Sequence, residues 1–380
     1  MVDQETGIPH NPGTGQRSRL AFPVVGMGAS AGGLGALRQV LEHLPKRNGM
    51  AFVVILHLSP KHESGADTVL QACTEMPVVQ VREETPLQPD HVYVISPAHD
   101  LMMTDGVLCV TQAERPYGRP VAIDLFFRTL ADAHQDKAVG IVLSGTGADG
   151  STGIARIKEQ GGVTFAQLPE DADYEDMPRN AIASNRIDFI LPAAEIADKL
   201  IALRENIRRI RLPKVSADGE PPAKALPDES SDAEQALREI LDILALRSGH
   251  DFRCYKRATV LRRIERRMQV RLLKDLPDYR DFLKDHQEET RALLDDMLIS
   301  VTNFFRDRAA FEALEREVIP KLFDATQPPE QVRVWVPGCA TGEEAYSIAM
   351  LLADHAGTLS SAPPWQVFAS DIDEAAIAAG

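Results

Sequence analysis

Between residues 20 and 205, six short apolar runs occur at 22–26, 51–56, 91–95, 138–143, 162–165 and 187–191. Longer stretches of helical periodicity separate them. The runs AFVVIL (51–56) and AVGIVL (138–143) lack polar alternation, as strands buried on both faces do. Strands alternating with helices predict an α/β domain with a doubly wound, mainly parallel sheet. A hairpin is expected over 102–112, turning at Asp105 and Gly106, because an Asp-Gly pair accepts the positive φ of a two-residue turn.

The chain has 380 residues, which suggests two or three domains. Residues 1–18 read as a loose polar tail, and residues 19–210 hold the sheet domain. Residues 211–233 read as an acidic, proline-rich linker. Helical periodicity fills 234–308. From 309 to 380 a strand (VRVWV, 332–336), a glycine turn, a helix and a second strand (WQVFA, 365–369) begin another α/β domain. The formal net charge is −15, which argues against general binding to nucleic acid or anionic membrane. No apolar run reaches the roughly 18 residues of a membrane span. The 4 cysteines show no paired spacing. They suit a reducing cytoplasm and give neither a disulfide scaffold nor a metal site.

Three polar residues fall where strands of the first domain end. GMGASAGG (26–33) contains G-x-S-x-G, a nucleophile-elbow pattern with Ser30 at its centre, in a strand–turn–helix context. The following helix N-terminus, beginning near Ala31, offers amides for an oxyanion. The same string fits a loose dinucleotide pattern. That reading needs an acid at the end of the second strand, where His57 stands instead. His57 suits a base for Ser30, with His62 and His99 as nearby competitors. Asp149 lies in SGTGADGSTG (144–153), after the fourth run, and reads either as an orienting acid or as a helix N-cap.

VVGMGASAGG (24–33), His57, LSGTGADG (143–150) and MPRNAI (177–182) together resemble the catalytic domain of the chemotaxis protein-glutamate methylesterases, the CheB family. The resemblance implies Ser30 as nucleophile, His57 as base and Asp149 as orienting acid. It implies Ala31 and Thr146 in the oxyanion loops, and no cofactor. The substrate it implies is a glutamate γ-methyl ester on a chemoreceptor, with glutamine deamidation as a related reaction. That family often carries Met where Thr146 stands. It also has a receiver domain in front, which the short tail here leads one not to expect.

Two features remain beyond residue 234. Residues 252–274 hold nine basic side chains and one acid, Glu265. Leu261, Ile264, Met268 and Leu272 form an apolar stripe, and Arg262, Arg263, Arg266 and Arg267 lie across from it. A solvated face, nucleic-acid binding and docking to a Glu-rich helical partner are the alternatives. The absence of interleaved aromatics weakens the second. The other feature is the turn GCATGEE (338–344) between two strands, the second running into Asp371. An acid there accepts ribose hydroxyls, leaving NAD or S-adenosylmethionine open. Glu343 and Glu344 would repel a pyrophosphate and tolerate a sulfonium.

DFRCYK (251–256), RRIERR (262–267), SVTNFFRD (300–307) and GCATGEE (338–344) resemble the chemoreceptor glutamate methyltransferases, the CheR family. The resemblance implies a helical domain that meets the receptor through Arg262, Arg263, Arg266 and Arg267. A Rossmann-like domain for S-adenosylmethionine follows, with Ser300, Thr302, Arg306, Asp371 and either Glu343 or Glu344 at the cofactor. The family's later motifs have no counterpart before Gly380, so methyl transfer is not expected of this chain, which reads as the front of a longer fusion. Implied partners are chemoreceptor cytoplasmic helices, with a histidine kinase or downstream signalling domains beyond them. The competing class is a receptor-binding scaffold without turnover.

Overall fold

The computed structural model describes residues 18–57, 65–96, 99–112, 121–210, 212, 229–299, 302–323 and 330–380. It forms two compact units, one through Leu293 and one from Leu294. In chain order the first unit has β1 (Val24–Ala29), α1 (Gly33–Glu42), β2 (Ala51–Leu56), α2 (Ala66–Gln71), β3 (Val78–Val81), β4 (Thr85–Pro86) and β5 (His91–Ile95). There follow β6 (His99–Thr104), β7 (Val107–Gln112), α3 (Ala122–His134), β8 (Ala138–Val142), α4 (Ser151–Glu159) and β9 (Val163–Gln167). Next come α5 (Asp176–Ala183), β10 (Phe189–Leu191), α6 (Ala193–Ile207), α7 (Glu229–Ser248), α8 (Arg257–Arg271), α9 (Leu276–Asp285) and α10 (Gln287–Met297), the last crossing the division.

Seven strands make one sheet in the order β10-β9-β8-β1-β2-β5-β3, and every pairing in it is parallel. β1, β2 and β8 are buried along their whole length, as unalternating apolar strands under helices on both faces must be. The chain runs outward from β1 to β2 on one side and places β8 on the other. The topological switch therefore lies at β1, where the carboxyl ends open a crevice. Gly26 and Gly28 belong to β1 rather than to the turn. A Cβ on Gly28 would sit 2.4 Å from Ile123, so these glycines let α3 lie close on the strand. The hairpin forms between β6 and β7, with Asp105 (φ 43°) and Gly106 (φ 82°) at its tip. It begins at His99, three residues before the expected start. β3 is not marked in the sequence, because a four-residue edge strand with only Val81 fully buried carries little pattern. α7 begins at Glu229, inside the stretch expected to be linker. The rest of that stretch, like the tail, lies almost wholly outside the described residues.

The largest departure is α8. Its arginines do not form a solvated face: Arg263, Arg266 and Arg267 are 3%, 1% and 4% exposed, and Arg262 is half-buried. Arg263 donates to Glu159 O at 3.2 Å, and Arg266 Nε donates to Gly162 O at 3.1 Å. The Arg266 guanidinium also pairs with the buried Asp188 carboxylate, which has Lys158 Nζ 3.2 Å away. Arg267 grips Glu289 with two bonds of 2.7 and 2.8 Å, and Arg271 adds a third at 2.6 Å. Burial alone would raise the Glu289 carboxyl, but these two guanidiniums hold it below its usual range. The expectation of a receptor contact is therefore corrected for Arg263, Arg266 and Arg267, while Arg262 keeps part of its surface open. Acids brought together by folding pair with Arg266 and Arg267, a backbone carbonyl accepts from Arg263, and α8 ties the helical segment to the sheet domain.

The second unit contains α11 (Arg308–Ala313), a π-turn over Leu314–Val318, α12 (Ile319–Leu322), β11 (Val332–Pro337), α13 (Glu343–Gly357), β12 (Trp365–Ser370) and α14 (Glu374–Ala379). β11 and β12 pair in parallel, and α13 packs against them around Leu351 and Leu352. No helix among the described residues is long and apolar enough to cross a membrane.

Candidate active site

The three polar residues singled out at strand ends lie on adjacent strands. Ser30 follows β1, His57 follows β2, and Asp149 sits in the loop between β8 and α4. Backbone bonds lock these ends together. Leu143 N donates to Gly28 O at 2.9 Å, Ser30 N to Ser144 O at 3.0 Å, and His57 N to Ala29 O at 3.3 Å. His57 Nε2 lies 2.7 Å from Asp149 Oδ2. The same carboxylate accepts from Ile123 N (3.0 Å) and Asp124 N (2.9 Å), the opening amides of α3. Its side chain is 5% exposed and that of His57 16%, so the pair meets in a largely dry setting with its histidine edge open. A carboxylate between amide donors can only accept, so Nε2 carries the ring proton and Nδ1 the lone pair. Asp149 is therefore no cap for the helix that follows it: it caps α3 from 26 residues away.

The surrounding loops are held by polar groups that the sequence did not single out. Buried Gln167 accepts from Ser144 N at 2.9 Å. Ser144 Oγ donates to Ala31 O at 2.9 Å and receives Tyr174 N at 3.0 Å. Asn180 donates to Gly147 O at 2.8 Å. Asn180 and Met177 lie in the MPRNAI block, so the block's match carried a signal but no role. Ala31 is half-buried and Thr146 exposed, on the two loops flanking Ser30. His99 bonds Ser96 Oγ at 3.0 Å, and His62 lies outside the described residues.

Among the glycines around Ser30, close approach is tightest at Gly145. A Cβ there would stand 2.1 Å from Met177 Sδ and 2.9 Å from Ser30 Cβ. Gly145→Ala is expected to push Ser30 out of line and cut the reactivity of its hydroxyl by about a hundredfold, since displacement of about an ångström costs that much. The rate at which a serine-reactive fluorophosphonate labels Ser30, measured beside a thermal melt, checks this, and labelling within twofold of the native protein would contradict it.

In the second unit the turn after β11 brings Asp371 and Glu343 to one place. Asp371 Oδ2 accepts from Ala340 N at 2.7 Å, and its Oδ1 from Asp373 N at 2.8 Å. Gly338 (φ 70°), Ala340 (φ 49°) and Gly342 (φ 94°) bend the turn through the left-handed region. Glu343 is half-buried and accepts from Thr341 Oγ1 at 2.5 Å, whereas Glu344 is exposed. Phe305 N donates to Ser347 Oγ at 3.0 Å, which lays the segment carrying half-buried Thr302 and exposed Arg306 against α13. Ser300 lies outside the described residues. Open space over Gly338 and two acids beside an open turn fit a cationic adenosine cofactor. Among the described residues no cluster of three metal-ligating side chains occurs.

Family models match three stretches of the chain. Residues 25–200 match the model of the CheB methylesterase, 235–298 that of the CheR methyltransferase all-alpha domain, and 300–380 that of the CheR methyltransferase SAM binding domain. A Leptospira interrogans relative named for protein-glutamate methylesterase/protein-glutamine glutaminase is 30% identical over 49% of this chain and 97% of its own length. A Burkholderia pseudomallei protein-glutamate methylesterase/protein-glutamine glutaminase 2 is 33% identical over 49% of this chain and 55% of its own. An uncharacterized 104.1 kDa protein of Rhodobacter capsulatus is 38% identical over 80% of this chain, which spans only 33% of that relative's length. The CheB methylesterase catalytic domain of Thermotoga maritima is a solved structure with 26% identity and a TM-score of 0.46, covering 48% of this chain and 100% of its own. On its sequence blocks, its sheet and its matched relatives, the chain belongs to the protein-glutamate methylesterase family of CheB, with CheR-type methyltransferase domains following in the same polypeptide.

Proposed function

We propose that the chain hydrolyses glutamate γ-methyl esters on chemoreceptor-type helices, with Ser30, His57 and Asp149 as its catalytic residues. The 2.7 Å bond between His57 Nε2 and Asp149, one strand from Ser30, carries the reading. Asp149 holds the imidazole with Nδ1 free to act as base. Ser30 Oγ attacks the ester carbonyl carbon as Nδ1 takes its proton. The oxyanion turns toward the amides of the Ala31 and Thr146 loops. The C–O bond to the methoxy group breaks, and methanol leaves with the proton from His57. Water, deprotonated by Nδ1, then attacks the acyl-serine, releasing the glutamate carboxylate and restoring Ser30. A glutamine substrate would release ammonia by the same steps. No step calls for a cofactor.

S-adenosylmethionine, when bound in the second unit, supplies an activated methyl on a sulfonium. Glu343, facing the turn, is the better contact of the two neighbouring acids. Asp371 holds the turn's shape while its remaining lone pairs would meet a ribose; Thr302 and Arg306 are assigned to the same site, and Ser300 is assigned there from the sequence resemblance alone. The setting is cytoplasmic signalling, where a histidine kinase or downstream domains are further partners. A purely non-catalytic scaffold leaves the buried His57–Asp149 pairing without a task.

A serine-reactive fluorophosphonate tests the nucleophile directly. Mass spectrometry is expected to place the adduct on Ser30, with labelling lost in His57→Ala. An adduct elsewhere, or full labelling without His57, would overturn the assignment.

A further inference from the structure

Neither α3 nor α4 is capped by the residue that precedes it. The N-cap positions are Val121 and Gly150, and neither makes a side-chain cap. Each helix instead takes its cap from the other. Asp149, just before α4, receives Ile123 N and Asp124 N at the start of α3. Asp124, in the first turn of α3, receives Gly153 N at the start of α4 at 2.6 Å. The two helices also touch backbone to side chain here: a Cβ on Gly153 would stand 2.5 Å from Phe127 Cβ and 3.0 Å from Asp124 Cα. Two carboxylates and two helix N-termini thus form one closed exchange of charge and amide, with His57 hung from it.

We infer that Asp124 is a positioning residue for the esterase: by capping α4 it fixes the loop that presents Asp149 to His57. The inference rests on the methylesterase reading for its kinetic test. Asp149 is aimed by two amides of α3, but its own backbone enters α4 one residue later, at a glycine with φ 96°. Such a junction turns freely unless the helix behind it is anchored. The Asp124–Gly153 bond is that anchor, and it comes from the helix whose amides aim the carboxylate. Burial pushes the Asp124 carboxyl above its ordinary range, the Gly153 amide pulls it back, and the nearby Asp149 charge adds to the rise. A second acid so close to the first is costly without a task.

The test compares Asp124→Ala and Asp124→Asn in the full chain. Asn keeps an oxygen for Gly153 N–H, whereas Ala does not. Asp124→Ala is expected to lower kcat for methyl-ester hydrolysis by about ten- to a hundredfold with KM within about twofold, as misplacement of a catalytic group does. Asp124→Asn is expected to recover most of that loss. Unchanged kcat in Asp124→Ala would overturn the inference, and so would equal loss in both variants accompanied by equal loss of melting temperature. A substrate-free readout separates this from failure of the esterase reading. The proton on His57 Nε2 shared with Asp149 gives a downfield NMR resonance, assigned by its disappearance in Asp149→Ala. It should broaden or vanish in Asp124→Ala and persist in Asp124→Asn. Its persistence unchanged in Asp124→Ala would overturn the inference even if the native protein released no methanol.

Discussion

Asp188→Ala is expected to destabilise the first unit by about 3–5 kcal/mol, the cost of leaving a buried partner charge uncompensated. Asp188 has a fully buried side chain and receives Thr164 N at 3.0 Å besides the Arg266 guanidinium and the Lys158 ammonium. Its loss strands a guanidinium that is 1% exposed. Replacing both partners by apolar residues (Asp188→Leu with Arg266→Met) should cost far less than either single change. Urea unfolding followed by circular dichroism measures each variant. Single variants as stable as the native chain would contradict the account. The pair also sets a pH dependence. Burial opposes ionisation of Asp188, yet Arg266 and Lys158 hold its carboxyl far below the usual carboxylate range. A depressed folded-state value means the contribution is complete above the unfolded value, about pH 4, and is lost as pH falls below it. As pH falls below about 4, the native chain should therefore lose stability more steeply than the doubly apolar variant.

Ser30→Ala is expected to lower ester hydrolysis by on the order of a millionfold, and His57→Ala by a similar factor. Asp149→Asn should cost less, about ten-thousandfold, because it spoils the imidazole tautomer while leaving the nucleophile and oxyanion amides in place. The losses should not add. Ser30→Ala combined with His57→Ala should be no slower than either alone, since the two act as one device. Additive losses would mean that His57 works on something other than Ser30.

Much of the first domain was legible because burial on both faces leaves unbroken β-branched runs, as in β2 and β8. The candidate site was legible for a related reason. In a parallel sheet the residue after each strand is also a residue of the crevice, so Ser30, His57 and Asp149 stood out by position. What failed was α8. Arg266 and Asp188 are 78 residues apart, and Arg267 and Glu289 22 apart, so nothing local marks these arginines as paired. Spacing alone assigns a row of charges to water. Asp124 was missed similarly, since an acid in the first turn of a helix is ordinary there. Only folding reveals that it caps a different helix. The glycines of GMGASAGG mislead in a smaller way: Gly26 and Gly28 serve α3 packing, not the turn.

The most direct measurement is methanol release from a methyl-esterified chemoreceptor cytoplasmic fragment, with the native chain beside Ser30→Ala. The account predicts steady release by the native chain and none above background by Ser30→Ala, with both folded and both binding the fragment. Equal release by the two, or none by a native chain that still binds the fragment, would contradict it.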